Sequence, residues 1–500
     1  MSLSSKLLKS STAIYSKICQ SSIIRHALIL LVALSSFAQQ AASSDLSLPS
    51  LGNASSSMIS IEQERKLGQA WLRQLRRQVK TFDNPIIESY LSQTIYNLAP
   101  HSEVIDKDFR FVVVDSQALN AFAVPGSVIG INTGLFLHSY SEQEFTSVLA
   151  HELAHISQRH YARRLEKQKV SVPLALTGFL ASVVIAATAG SEAGIAALAS
   201  TQALGVENAL AFSRQNEEEA DRLGIITLYE SGYDPRAMPT MFERMYRQTR
   251  LQGYSMPEYL STHPLSENRI ADTRNRATQY PRNNYTDSIE YHICKALIIN
   301  YYADTPTSAT QYFESLIEKG NGRQIDGATF GLAVSLIKTE PSRSIALLDQ
   351  LLARYPLHIS IELTKAQALY VAGDTIKATT LFNKLYERNP NNYPISIMSA
   401  EHFIKIDDNA RAEKILTTLV KAKSERPLAW YLLAETQGKT GDIVGLHISR
   451  AEYFYLNDKL SSAIEQLEQA KEKNKNDPQR ASVIKKRLEE FRELKTNSPL

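Results

Sequence analysis

Apolar residues along this chain change period several times, and each change marks an element. From about Ile61 to Leu98 they recur at helical spacing, as in the RKLGQAWLRQLRRQ stretch of residues 65–78. Phe109–Val114 (FRFVVV) is short and rich in β-branched and aromatic residues. Asn120–Val124 and Val128–Ile131 flank Pro125-Gly126, which predicts two strands joined by a tight turn. A strand pair placed there either offers an outer edge to an extended peptide or is an ordinary hairpin. Ser141-Glu-Gln-Glu144 has the form of a capping box and opens a helix running through His151 and His155. Two weakly polar runs follow, Val172–Gly190 and Gly194–Phe212, the second holding the single charge Glu207. The first is just long enough to span a bilayer.

Beyond about residue 290 the pattern is helical throughout and repeats itself. Ser344, Leu348, Leu351 and Pro356 recur 34 residues later as Ala378, Phe382, Leu385 and Pro390. Ala412, Leu416 and Leu419 continue the period, with Ser424 in place of the proline, and Ala309, Phe313 and Leu316 fit one step earlier with one residue of slippage. Ala463, Leu467 and Ala470 form a degenerate later copy. A small, a bulky and an apolar residue at i, i+4 and i+7 describe the second helix of a helix–turn–helix unit, and a period of 34 is that of tetratricopeptide repeats. The expected fold class is therefore α+β but mainly α, with an α-solenoid over 290–495.

Composition adds compartment and excludes one class of partner. The net charge is +3, but residues 1–38 hold Lys6, Lys9, Lys17 and Arg25 and no acid, so the rest of the chain carries −1. That near-neutral balance gives no reason to expect nucleic acid as a partner. The basic stretch is followed by the uncharged run Ala27–Ala38, ending Ser36-Phe37-Ala38, which reads as a secretory signal peptide of residues 1–38 cleaved near Ala38, with an uncleaved anchor as the alternative. Cys19 lies within that leader. Cys294, among Ile293, Ala296 and Leu297, is then alone: no internal disulfide and no thiolate metal cluster is available, and it is expected in the core.

The chemistry lies in two separated motifs. His151-Glu152-x-x-His155 places two imidazoles one helical turn apart on one face, so both can reach one ion, with Glu152 beside them to take a proton from a metal-activated water attacking a carbonyl. Catalytic zinc takes three protein ligands and keeps one position open. Glu217-Glu-Glu-Ala-Asp221, following Ser213-Arg214 at the start of another helix, can supply the third ligand, with a carboxylate one turn away orienting a ligating histidine. Spacing alone does not choose among Glu217, Glu218 and Glu219. A shared site for His155 and Glu217 excludes a single membrane crossing between them. The Ala-, Gly- and Ser-rich segment 172–212 is therefore expected as a packed helical hairpin over the site, with peripheral membrane contact or insertion of both runs as alternatives.

These motifs, HELAHISQRH, SRQNEEEADRLG and the earlier NAFAVPGSVIGINTGL, resemble the gluzincin family of HtpX- and Oma-type zinc endopeptidases over roughly residues 55–275. The resemblance implies a zincin-like metallopeptidase domain holding one Zn2+ per chain. His151, His155 and Glu217 would be the ligands, Glu152 the catalytic acid/base, and Asp221 the partner that orients a ligand. Where the family usually has a second glycine, this chain has Ser127. An exported member followed by tetratricopeptide repeats further implies periplasmic quality control of outer-membrane β-barrel proteins, the repeats docking unfolded or stalled substrates or the assembly machinery. It also directs attention to His263-Pro264-Leu265 and Arg269, a context in which a histidine can fill the fourth zinc position and keep the enzyme latent. His263 is alternatively a donor to the oxyanion of the tetrahedral intermediate. The rival reading of the whole chain is a repeat-based chaperone or adaptor with a latent peptidase site.

Overall fold

The computed structural model describes residues 60–163, 213–251, 259–422 and 425–497. The leader of residues 1–38 and the segment 172–212 lie outside them. Among the described residues no helix is long and apolar enough to cross a membrane.

Two helices open the described chain, α1 (Ile61–Gln78) and α2 (Pro85–Leu98). The continuous segment expected from Ile61 to Leu98 is thus interrupted, because Asn84 caps a fresh helix through Ile86 N at 3.0 Å and Pro85 fits only a first turn. The intervening Thr81 bridges to Val114 instead. The strands are β1 (Arg110–Val114), β2 (Ala121–Val124) and β3 (Val128–Asn132), in the order β1-β3-β2, with β1 parallel and β2 antiparallel to β3. β2 is therefore an edge. The turn between β2 and β3 holds both Gly126 (φ 78°) and Ser127 (φ 56°) in the left-handed region, which accounts for glycine being the usual residue at the second position. Ser127 tolerates it with its hydroxyl donating to Asp106 O at 2.6 Å.

After the short α3 (Gly134–His138), α4 (Glu142–Ser157) carries the His-Glu motif. Ser141 caps it through Glu144 N at 3.2 Å, but the Glu144 carboxylate accepts from Tyr140 N at 2.7 Å and pairs with Arg244 rather than completing the expected box. α5 (Arg214–Glu230), α6 (Ala237–Leu251), α7 (Tyr259–Thr262) and α8 (Glu267–Thr278) complete the layer packed on α4.

The repeats comprise α9 (Ile289–Tyr302), α10 (Pro306–Lys319), α11 (Gly322–Leu336), α12 (Pro341–Arg354), α13 (Ile359–Val371), α14 (Thr375–Arg388), α15 (Tyr393–Lys405), α16 (Asn409–Ala422), α17 (Pro427–Thr440), α18 (Ile443–Leu456), α19 (Leu460–Lys473) and α20 (Pro478–Asn497). The periodic Ser344/Leu348/Leu351, Ala378/Phe382/Leu385 and Ala412/Leu416/Leu419 sets are buried on α12, α14 and α16. Leu316 departs from its set and is 37% exposed. A second mark of the period emerges in the turns: Gly373, Asp407 and Gly441, each 34 residues on, all have positive φ.

No break in packing separates the two halves. One apolar cluster runs from Ile86 through α4 and α9 as far as Met398. Tyr291 of α9 inserts into a group with Tyr90, Phe136 and Phe145, its ring centroids 5.9–6.4 Å from theirs. Burying one such ring is worth about 4–6 kcal/mol at most. The buried Glu142 carboxylate at the head of α4 accepts from Tyr90 (2.9 Å), Tyr285 (2.8 Å) and the Ser288 hydroxyl (2.8 Å) ahead of α9. Late repeats also return to the N-terminal elements. Glu425 pairs with Arg110 and accepts from Gln69, Arg426 pairs with Glu88, and Arg73 donates to Tyr455. Cys294 is buried and free.

Candidate metal centre

Helix α4 is buried along nearly its whole length, so its polar side chains must find partners inside the protein. His151, Glu152 and His155 project from one side of it, all at most 4% exposed. α5 lies against that side, allowed close by Gly224, where an added Cβ would come 3.3 Å from His151 N and 2.8 Å from the Met238 methyl. From α5, Glu217 and Asp221 face inwards, each 1% exposed, while Glu218 is exposed. The loop after α7 brings His263 (2% exposed) from the third direction.

Four side chains converge: His151, His155, Glu217 and His263 each offer one ligand atom within 4.8 Å of the others. His151 Nε2 is 3.0 Å from His155 Nε2 and 3.4 Å from His263 Nδ1. Glu217 Oε1 is 3.2 Å from His263 Nδ1 and 3.5 Å from His155 Nε2, and Glu217 Oε2 is 3.5 Å from His151 Nε2. Zinc–ligand bonds of about 2.0–2.1 Å give a tetrahedron with edges of about 3.3–3.4 Å. The donor set therefore fits one tetrahedral ion in both atom type and spacing.

The surrounding groups fix these donors. His151 Nδ1 sits 3.0 Å from Asp221 Oδ1, which directs its Nε2 lone pair to the centre. Asp221 takes two contacts of 2.8 Å from the buried Arg269 guanidinium, whose third nitrogen lies 2.8 Å from Glu217 Oε2 and donates to Pro264 O at 2.7 Å. One arginine thus ties both α5 carboxylates to the loop that carries His263. The His263 ring stacks on Tyr259 at 4.5 Å and 18°, and Tyr259 N donates to Leu119 O, just ahead of the edge strand β2. His263 Nε2 lies 3.5 Å from Glu152 Oε1.

Electrostatics follow the same geometry. Burial pushes the Glu217 carboxyl up, but His263, Arg269 and His151 outweigh it and hold it well below the usual carboxylate range. Burial lowers His151, yet hydrogen bonds and charge from Asp221 and Glu217 carry it to about 9. Burial, against the opposing pull of Glu217, keeps His155 well below its ordinary value, with the neighbouring imidazoles acting in the same direction as burial. Burial raises Glu152, the direction that suits a group taking up a proton and returning it. A ring of carboxylates and imidazoles with depressed and raised affinities for protons is a place where a cation replaces protons.

Sequence reasoning assigned no role to His160 or Tyr259, weighed Glu219 only as one of three candidates for the third ligand, and singled out Arg269 without a role. The only sign of His160 was its position in HELAHISQRH. It reaches the site because Arg159, in the left-handed region at φ 48° and paired with Glu64, turns the chain back after α4. A cleft beside His155 is lined by Ala123–Ser127 of the β2–β3 turn, Ile105 and Tyr161.

Comparison with known proteins places the same part of the chain in a peptidase family. The model of peptidase family M48 matches residues 85–277, and a tetratricopeptide repeat model matches 372–436. The beta-barrel assembly-enhancing protease of Escherichia coli (strain K12) is 31% identical over 455 residues, covering 89% of this chain and 91% of that one. A mitochondrial metalloendopeptidase OMA1 from Arabidopsis thaliana is 32% identical over 163 residues, 32% of this chain and 30% of that one. Yeast Tom70 aligns over 71% of this chain and 86% of its own, with 12% identity and a TM-score of 0.29.

Proposed function

The chain belongs to peptidase family M48 and is a metallopeptidase, and on that premise we propose that His151, His155 and Glu217 hold one zinc ion per chain. The observation that carries this reading is the cage of buried donors at 3.0–3.5 Å. Bound zinc supplies a Lewis acid and lowers the pKa of a water in its open position. Glu152, raised by burial, takes the proton from the attacking water and passes it to the leaving amine. Asp221 orients His151, and Arg269 holds Asp221 and Glu217 together so that two buried carboxylates are tolerated. The edge strand β2, whose Ala123 and Val124 line the cleft at His155, would offer main-chain hydrogen bonds to an extended substrate.

His263 fits the same cage as a fourth donor. A site with four protein ligands is closed, whereas a catalytic one keeps a position free. The arrangement with His263 in place is thus a latent state, released when the loop carrying it moves away. This is the observation that favours the repeat-based chaperone or adaptor as a second reading for the resting protein.

The zinc endopeptidase occupies residues 55–275 and the repeats 290–495, with 1–38 as the export leader. Its setting in this reading is the periplasm, and its work the quality control and assembly of outer-membrane β-barrel proteins, supported by a relative of that name matching both halves. Stacked helix pairs provide an extended surface for stalled substrates or their assembly machinery. Metal analysis and casein digestion with wild type and Glu152→Gln test the proposal. One zinc in both proteins, with digestion lost only in the variant, is expected; zinc-free wild type that still digests would end it.

A further inference from the structure

The third glutamate of the Glu217-Glu-Glu run has no place in the chemistry above, yet it is half-enclosed and engaged. Glu219 Oε2 lies 3.0 Å from His160 Nε2 and 3.0 Å from Arg163 Nη1. His160, 0% exposed, turns its other nitrogen to His155: the two Nδ1 atoms are 2.9 Å apart, with ring planes inclined at 75°. We infer that Glu219 and His160 form a relay that positions His155 for metal binding, an arm parallel to the one Asp221 provides for His151. This rests on the reading of His155 as a ligand through Nε2.

The direction of every bond in the relay follows from that role. A neutral imidazole has one donor and one acceptor nitrogen. If Nε2 of His155 gives its lone pair to the ion, Nδ1 carries the proton and donates. His160 Nδ1 must then accept, so its Nε2 carries a proton and donates to a carboxylate, where Glu219 stands. Arg163 pairs with the same carboxylate oxygen, Oε2, that faces His160, so an arginine supports this carboxylate as Arg269 supports Asp221. Each ligating histidine is thus backed by a carboxylate and each carboxylate by an arginine. The α4 arm needs an extra histidine because Glu219 lies off the face of α5 that carries Glu217 and Asp221. The reversed turn at Arg159 delivers it. Glu219 and His160 touch no reacting atom and are positioning residues.

The test measures metal affinity by chelator competition and the visible spectrum of the cobalt-substituted protein, in the full chain. His160→Leu removes the acceptor at similar volume, and its zinc affinity should fall about 10–100-fold with an altered cobalt spectrum. His160→Gln, whose amide oxygen can accept from His155 Nδ1, should recover most of that loss. Glu219→Ala should weaken binding as well, and adding it to His160→Leu should cost little more, because a relay is lost once. Wild-type affinity and spectrum in His160→Leu overturn the inference. So does a glutamine variant that falls as far as leucine, which would mean that His160 only fills space. His155→Ala separates the two layers: metal retained there removes the reading of the site itself, whereas metal lost there with His160→Leu unaffected removes the relay alone.

Discussion

Replacing His263 with alanine asks whether the fourth donor restrains the enzyme or helps it. In the structure the ring contributes two things to the closed arrangement. It stacks on Tyr259 at 4.5 Å, worth about 1 kcal/mol, and it faces the charged cage through Nδ1, 3.2 Å from Glu217, a contact of the class worth about 1.5–3 kcal/mol net. The backbone anchors, His263 N to Tyr259 O and Arg269 to Pro264 O, survive the substitution. The closed state therefore loses about 2.5–4 kcal/mol. At about 1.4 kcal/mol per factor of ten, a site held shut by that amount is open in roughly 0.1–2% of molecules, and the variant should hydrolyse about 60–700-fold faster. The assay is kcat/KM on a short quenched-fluorescence peptide that needs no large opening, with zinc counted in both proteins. An equal or lower rate at unchanged zinc content refutes latency and favours His263 as a donor to the oxyanion.

Other expectations concern the cage and its supports. Glu152→Gln should keep about one zinc per chain while hydrolysis falls about 10²–10⁴-fold, measured by metal analysis beside peptide cleavage; metal loss would mean its role is misassigned. Glu217→Gln should lose metal and activity, whereas the exposed Glu218 should tolerate the same change, and the reverse outcome would move the third ligand. Arg269→Leu leaves Asp221 and Glu217 buried without their cation, a loss of about 3–5 kcal/mol visible as a lower denaturant midpoint of the metal-free protein. Gly224→Val forces α5 away from the His151 backbone and should cost about 1–3 kcal/mol together with metal affinity; an unchanged midpoint would show that the two helices can part without cost.

The sequence by itself determined what local periodicity and spacing encode. The His-Glu helix, the hairpin around Pro125-Gly126 and the second helices of the repeats were all legible, because side chains at i and i+4 share a face whatever surrounds them. The same logic placed His151 and His155 together and required a third ligand from elsewhere. It could not choose Glu217 over its neighbours, since three consecutive glutamates differ only in which way a particular helix turns. Tertiary structure decided that: α5 lies on α4 so that Glu217 and Asp221 point inwards, Glu218 outwards, and Glu219 sideways to His160. Nor could spacing show that Arg269, 48 residues beyond Asp221, neutralises two buried carboxylates. Such pairing is set by the desolvation cost of buried charge, and that cost exists only once the core has closed around it. The joining of the two halves through Tyr291 and Glu142 has the same origin. Each residue reads locally as one more position on a helix, and only the packing of α9 against α4 gives it a partner.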